Sequence, residues 1–360
     1  MIVIYIILIV YAVAIASLVY GFDKATEPVM EHTIPITRFS IVVPFRNEAE
    51  NLPLLLDSFS KLNYPRELFE VILVDDDSSD GFVLESTAYR LLKSVRRSAS
   101  PKKDAILTAI DIAQFEWIIT TDADCEVPET WLAMMDSFLR GNDVEMICGP
   151  VAYRATDSFL ANFQHADLAS LQGATIGSFH LGKGFMCNGA NFAYTKTLFS
   201  KLNGFGGNEG YPGGDDVFLL QKAMSKFPKL VGYLKSPHGI VHTNTSSTWH
   251  ELFNQRVRWA SKAAGYQSKF GQFLGMVVLL GNLGWIAGLV LFAINHTRLA
   301  LPGFLILKIA IDYLLILKAS RFLKTEVRFH PISAAVYPFF STAVAVYSVF
   351  GKFEWKGRRF

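Results

Sequence analysis

In Trp117-Ile118-Ile119-Thr120-Thr121-Asp122-Ala123-Asp124 a short apolar run with a β-branched centre stops at two carboxylates one residue apart. Such a run reads as a buried strand. In an open α/β sheet, ligands bind in the crevice beyond the carboxyl ends of the strands. Two Asp placed there, with no Lys or Arg beside them in sequence, concentrate negative charge. A divalent cation relieves that concentration, because hard ions such as Mg2+ or Mn2+ take carboxylate oxygens and bridge to phosphates. Asp at a strand-to-turn transition also accepts loop hydrogen bonds, and these eight residues alone do not choose between the two readings.

Outward from this strand the chain has a mixed texture. Of its 360 residues 51% are hydrophobic and 18% charged, and the apolar excess gathers at both ends, which excludes a single soluble globule. A net charge of +2 is too near balance for a nucleic-acid-binding surface. Cys125, Cys148 and Cys187 are odd in number and lack C-x-x-C spacing, so neither a zinc site nor a disulfide framework is indicated. Small core thiols in a reducing compartment suit them. Residues 1–22 are almost uninterrupted Ile, Val, Leu, Ala and Tyr, with no charge before Asp23. About 20 apolar residues span a bilayer, and the basic start and shorter apolar core of a cleaved signal peptide are not seen. A retained transmembrane anchor is expected, then a linker over 23–37.

From residue 38 strands alternate with amphipathic helices. Phe39 to Pro44 reads as a buried strand, followed by Arg46-Asn47-Glu48-Ala49-Glu50 and a helix with Leu52, Leu55, Leu56 and Phe59 on one face. Phe69 to Val74 is the next strand, ending in Asp75-Asp76-Asp77. A helix to about Lys93, a basic connection from Arg96 to Lys103 and a helix through Ala105, Ala109 and Ala113 lead to the opening strand. This order predicts parallel strands with right-handed crossovers. Two acidic clusters, Asp75-Asp76 and Asp122 to Asp124, then share one rim, as a nucleotide–metal pocket requires. No G-x-G-x-x-G and no Walker loop is present, which removes dinucleotide oxidoreductases and P-loop enzymes. Lys102 and Lys103 either reach phosphate or are simply solvated.

Beyond Pro128 the pattern gives a helix through Trp131, Met134, Met135 and Phe138, a strand over Met146 to Tyr153, and a helix over Ser158 to Gln172. Gly182 to Tyr194 sets Asn188 and Asn191 in an apolar strand, where amides either satisfy local backbone or bind sugar hydroxyls. Gly206 to Leu220 is a glycine-rich loop running into a helix that opens with Asp215-Asp216. Asp there is an ordinary cap or a general base in a cleft. Trp249 to Phe270 reads as a basic amphipathic helix at a membrane surface and contains Gln255-Arg256-Val257-Arg258-Trp259. A Trp beside Arg offers a stacking face and a fork of donors for phosphate or sugar. Three apolar segments follow, near Gly271–Ile294, Leu299–Leu317 and Ile332–Phe350, then a basic, aromatic tail over 352–360.

Taken in order, Asp75-Asp76, Asp122-Ala123-Asp124, Gly214-Asp215-Asp216 and Gln255-Arg256-Val257-Arg258-Trp259 resemble the motifs of family 2 glycosyltransferases. The likeness is to the membrane-embedded Q-x-x-R-W branch, which includes ceramide-glucosyltransferase-like, hopanoid and carotenoid glycosyltransferases. It implies an α/β GT-A fold, a Rossmann-like mixed sheet flanked by transmembrane helices, with the catalytic domain over 38–247. An amphipathic helix over 248–270 and two or three membrane segments over 271–351 would follow. The resemblance sets Pro44, Arg46, Glu48, Asp75, Asp76, Lys103 and Asp122 around the nucleotide, and Asp124, with Asp122, on Mg2+ or Mn2+. Asp216 falls at the catalytic base with Asp215 beside it. Asn188, Asn191, Gln255, Arg258 and Trp259 fall around the acceptor and diphosphate. Asp77 departs from the Gly usual after the Asp pair.

The activity implied is inverting transfer from a UDP- or GDP-sugar to a hydroxyl of a membrane lipid, by an integral membrane protein whose catalytic domain faces the cytoplasm. A processive polysaccharide synthase and a non-catalytic scaffold of the same fold are the alternatives. Three complete C-terminal spans would place Lys352, Lys356, Arg358 and Arg359 outside, against the positive-inside rule. Lys308 and Asp312 make the second of these segments the least conventional.

Overall fold

β-Branched and aromatic residues fill the first strand of the computed structural model, Phe39–Phe45, and all seven of its positions are buried. A strand covered on both faces reads as continuous rather than alternating hydrophobicity. The structure describes residues 2–30, 34–84, 86–211, 213–294, 300–328, 331–350, 354–355 and 358–359; most of the basic tail expected over 352–360 lies outside them. Along the chain the elements are α1 (Ile2–Lys24), β1 (Phe39–Phe45), α2 (Leu52–Ser60), β2 (Phe69–Asp75), β3 (Arg90–Lys93), α3 (Pro101–Ile110), β4 (Trp117–Thr120), α4 (Trp131–Gly141), β5 (Met146–Cys148), β6 (Val151–Tyr153), α5 (Phe159–His180), β7 (Phe192–Thr195), α6 (Lys196–Lys201), α7 (Val217–Lys226), β8 (Val231–Tyr233), β9 (Val241–Thr243), α8 (Trp249–Ser261), α9 (Lys269–Ile294), α10 (Ala300–Phe322) and α11 (Pro331–Phe350).

Two compact units emerge. The first, Thr26–Arg154 with Phe185–Asn244, is built on a seven-stranded sheet in the order β3-β2-β1-β4-β7-β5-β8. β3, β2, β1 and β4 run parallel, β7 is antiparallel to both β4 and β5, and β5 pairs parallel with β8. The sheet is therefore mixed, as expected. Ile41, Val43, Val71 and Leu73 on one face pack with Leu55 and Phe59 of α2 and Trp131, Met134 and Met135 of α4. Phe59 and Trp131 stack with ring centroids 6.4 Å apart.

The local reading fails in identifiable places. No helix forms between Phe82 and Lys93 among the described residues; instead Arg90–Lys93 is β3, an edge strand registered on β2 from Ile72↔Arg90 to Asp75↔Lys93. Alternating charge suits an edge, where Arg and Lys discourage further pairing. The strand expected over Met146 to Tyr153 is two, β5 and β6, broken at Gly149-Pro150 and assigned to different sheets.

The second unit gathers Met1–Ala25, Ala155–Gly184 and Thr245–Phe360. α5, expected within the catalytic span, belongs here and extends to His180. It meets α1 at two glycines: a Cβ on Gly21 would lie 2.3 Å from Gly177 O, and one on Gly177 would lie 2.2 Å from Leu18 O. Such close backbone approach is how helices associate where no hydrophobic drive separates them from lipid. Among the described residues α1, α9 and α11 are long and apolar enough to cross a membrane. The amphipathic helix expected to Phe270 ends at Ser261, and α9 begins at Lys269.

Candidate active site

β1, β2 and β4 deliver their carboxyl ends to one rim: Phe45 registers on Asp75, and Val42 on Thr120. At this rim the loops after β1 and β2 are laced together. Asp76 N–H donates to Phe45 O at 2.8 Å, and Asp75 Oδ1 accepts from Ser78 N–H at 2.9 Å. Arg46 donates to the carbonyls of Asp76 and Asp77, Asn47 Oδ1 accepts from Ser79 N–H, and Asp80 accepts from Ala49 N–H. Asp77, standing where Gly is usual, has φ +64°. Asp is among the few residues with a side chain that enter this left-handed region routinely. The turn is thus retained with an added charge. Asp76 is buried and paired with Arg96. Glu48 is buried, its carboxylate accepting from Asn51 Nδ2 at 2.6 Å. Pro44 lies in β1 beyond the last β4 partner, where its missing N–H leaves no ladder bond unmade on that side.

The second half of the site forms where α3, β4 and α7 begin or end. Lys102, in the first turn of α3, places Nζ 2.7 Å from Asp122 Oδ1 and 3.4 Å from Asp215 Oδ2. One ammonium therefore joins motifs more than ninety residues apart in the chain. Burial alone would lower its pKa, but the carboxylates of Asp122, Asp215 and Asp216 reverse that and hold it above the usual lysine value. Asp216 is both a cap and a site residue. Its Oδ1 accepts from Val217 N–H at 2.7 Å, at the start of α7, and its Oδ2 accepts from Gly189 N–H at 2.9 Å. Gly189 is packed so closely that a Cβ would stand 3.2 Å from Asp215 Oδ2 and 3.3 Å from Lys102 Nζ. Thr120, the last residue of β4, donates its hydroxyl to Gly189 O at 2.8 Å and fixes this approach. Asp124 is half-buried and accepts from the Thr243 hydroxyl at 3.2 Å.

Among the described residues no three His, Cys, Asp or Glu side chains gather closely enough to cage an ion. Mg2+ commonly takes only one or two carboxylates plus substrate phosphates. Asp122 has a second carboxylate oxygen beyond the one paired with Lys102, and Asp124 one beyond that bonded to Thr243, so any cation here would need donors from a bound substrate as well.

Other expected residues do different work. Lys103 is buried and donates to the carbonyls of Asn208 and Tyr211, so it ties down the glycine-rich loop while Lys102 faces the carboxylates. Asn191 is fully buried: its Oδ1 accepts from Trp131 Nε1–H, and its Nδ2 donates to Pro150 O and Gly239 O. Three of the amide's four hydrogen-bonding positions are thus taken by protein groups. Asn188 Oδ1 accepts from Ala190 N–H at 3.0 Å, the local-backbone alternative. In the helical unit, Gln255 and Trp259 both engage Arg256: Gln255 Oε1 accepts from its guanidinium, and the Trp259 ring lies 4.2 Å beneath it. Arg256, an x position of the Q-x-x-R-W pattern to which the resemblance gives no role, is buried and paired with Asp167. Arg258 is half-buried.

A mixed sheet with a parallel half, carrying acidic loops at its carboxyl rim, is a GT-A-like fold. Residues 40–202 match the family model described as Glycosyl transferase family 2. It is 27% identical over 148 residues to the glycosyltransferase AglE of Haloferax volcanii, covering 40% of this chain and 48% of that protein. It is 33% identical over 101 residues to the undecaprenyl-phosphate 4-deoxy-4-formamido-L-arabinose transferase of Yersinia pestis, covering 26% of this chain and 31% of that one. The chain thus spans about half or less of the length of these curated relatives. In fold it is similar to the mannosyltransferase PcManGT of Pyrobaculum calidifontis, solved in complex with GDP-Man and Mn2+. That likeness has a TM-score of 0.56 at 17% identity and covers 96% of this chain and 99% of that one.

Proposed function

We propose that this protein is an inverting, metal-dependent glycosyltransferase of the membrane-embedded Q-x-x-R-W branch. It moves a sugar from a UDP- or GDP-sugar to a hydroxyl of a membrane lipid, and works as an integral membrane protein with its catalytic unit in the cytoplasm. The observation that carries the reading is the convergence of Lys102, Asp122, Asp215 and Asp216 beside Gly189. Asp216 takes the proton of the attacking hydroxyl. Backbone N–H groups of Gly189 and Val217 donate to the carboxylate and orient it. The attack comes opposite the leaving nucleoside diphosphate, so no covalent sugar intermediate forms. Lys102 is held protonated and is placed to accompany charge developing on the diphosphate. Asp122 and Asp124 would hold Mg2+ or Mn2+, which supplies further positive charge to the leaving group when bound. PcManGT, solved with GDP-Man and Mn2+, and the lipid-phosphate acceptor named for the Yersinia relative are consistent with a nucleotide-sugar donor and a lipid acceptor.

The test is incubation of the purified, lipid-reconstituted full chain with labelled UDP- and GDP-sugars. A single labelled sugar on solvent-extracted lipid is expected, whereas a labelled polymer would point to a processive synthase. Asp216→Asn is expected to cut transfer by about 10²–10⁴-fold, the usual worth of general base catalysis, with donor binding intact. Unchanged turnover in this variant removes Asp216 from the chemistry.

A further inference from the structure

Within the helical unit a cavity of about 80 Å³ lies between α5, α10 and α11. At roughly 10–15 Å³ per water on this measure, it accommodates five to eight waters or a similar number of heavy atoms. That is the size of a head group, not of a whole lipid. Its walls include Phe163, Ile309, Ile316 and Val327, and its polar lining includes Lys308, Asp312, Asp167 and Ser333.

Those charges are already balanced inside the protein. Lys308 is 2% exposed, with its ammonium 2.8 Å from Asp312 Oδ2 and facing the rings of Tyr11 and Tyr337 at 5.2 and 6.0 Å. Asp312 Oδ1 also accepts from the Tyr11 hydroxyl at 2.6 Å. Asp167 is paired with Arg256. Arg328 contributes to the lining, but its side chain is 71% exposed. A phosphate entering here would set about two negative charges against two carboxylates in apolar surroundings. A hydroxyl would not, because it donates to a carboxylate and accepts from an ammonium that still has protons to give. Ser333 Oγ is buried without a hydrogen-bond partner among the described residues. Buried polar atoms are nearly always paired, and the exceptions ask for an absent partner. Ionisable residues packed among helices of this apolarity are by default functional.

We propose that this cavity seats the uncharged, hydroxyl-bearing head of a membrane lipid, with Ser333 and the Lys308–Asp312 pair as its polar contacts. This deepens the acceptor reading above, on which it rests for biological meaning, but lipid retention does not require transfer. Asp167 joins the cavity to Arg256, and through it to Gln255 and Trp259, so occupancy bears on the Q-x-x-R-W helix.

The experiment uses the full chain in phosphatidylcholine nanodiscs doped with either diacylglycerol or undecaprenyl phosphate, without donor. Native mass spectrometry then counts retained lipid. The wild type is expected to retain diacylglycerol at least tenfold over undecaprenyl phosphate. Ser333→Leu and Ala334→Leu, which fill the cavity, are each expected to lose that retention by tenfold or more while melting within a few degrees of wild type. Equal retention of the two lipids, preference for the phosphate, or wild-type retention in either folded Leu variant overturns the proposal. Retention without any sugar transfer would defeat the proposed function and leave this site standing; transfer without retention would do the reverse.

Discussion

Replacing Lys102 by Met tests the centre of the catalytic unit most directly. Its ammonium sits between Asp122 Oδ1 and Asp215 Oδ2, and the two carboxylates differ in what they lose. Asp215 has a side chain only 6% exposed, whereas Asp122 is 37% exposed and partly solvated. Removing one member of a buried pair costs about 3–5 kcal/mol because the remaining charge is uncompensated. The exposure of Asp122 discounts its share, so about 3 kcal/mol is expected, nearly all through Asp215. For a unit of this size each kcal/mol moves Tm by about 2–4 °C, giving a drop of roughly 6–12 °C.

The double variant Lys102→Met/Asp215→Asn removes the stranded charge and should recover most of that loss. The pH dependence has a fixed sign. Lys102 has a raised pKa in the folded state, so its contribution is complete below the unfolded lysine value of about 10.4 and declines only as pH rises through the higher folded value. The deficit should therefore be flat from pH 6 to 9. Melting followed by tryptophan fluorescence reads all three expectations. A Lys102→Met protein melting within about 1 °C of wild type, or a double variant less stable than the single one, would refute the assigned pairing. Transfer assays then compare the double variant with Asp215→Asn alone: transfer lost only when Lys102 is also replaced, at recovered stability, identifies Lys102 as a group that meets the donor.

Two further perturbations probe the scaffold. Asn191→Ala strands the Trp131 indole N–H and the carbonyls of Pro150 and Gly239, at about 1–3 kcal/mol for each unpaired buried group. A large fall in Tm is expected with unchanged donor KM in the folded fraction; a raised KM at unchanged Tm would return Asn191 to the sugar site. Asp136 is buried, which would raise its pKa, but hydrogen bonds from the Thr37 hydroxyl and N–H, together with Arg140, hold it below the usual carboxylate value. Its stabilisation is present above the unfolded value near 3.9 and is lost as pH falls through the lower folded value. Asp136→Asn should therefore be less stable than wild type at pH 7 and converge with it toward pH 3. A gap that does not narrow on acidification would contradict this account.

The acidic strand ends were legible because a β-branched run halting at Asp is a local pattern, and sheet order then gathers such ends without long-range information. The choice between Lys102 and Lys103 was not. Successive helical residues point about 100° apart, so which lysine faces the rim depends on how α3 is rotated against the sheet. The same holds for Asn188 and Asn191, whose amides look alike in sequence. Only the fold shows that the three partners of Asn191 lie in α4 and two distant loops. β3 was misread because residues 82–93 carry no strong period, and pairing with β2 decides their conformation.

Helix directions within the helical unit follow from which side chains meet. Tyr11 and Ile7 of α1 meet Gly281 and Gly284 of α9, so these two helices are antiparallel. Leu8 packs with Leu301 and Leu305, Tyr11 bonds Asp312, and Phe22 meets Phe322, so α10 follows α1 in the same direction along its length. The charges that spoil α10 as an apolar span are largely answered from within the unit: Lys308 by Asp312, and Lys318 by Asp23 at 2.9 Å. α11 behaves otherwise. Phe340 and Val344 lie against Phe253 and Val257 of the basic helix α8, while Ser341 accepts from Asn282 of α9 at 3.2 Å and Phe339 meets Trp285, so α11 packs on both. Apolarity and its packing on α9 both suit α11 to a span among the described residues; paired charges are what would allow α10 to cross as well.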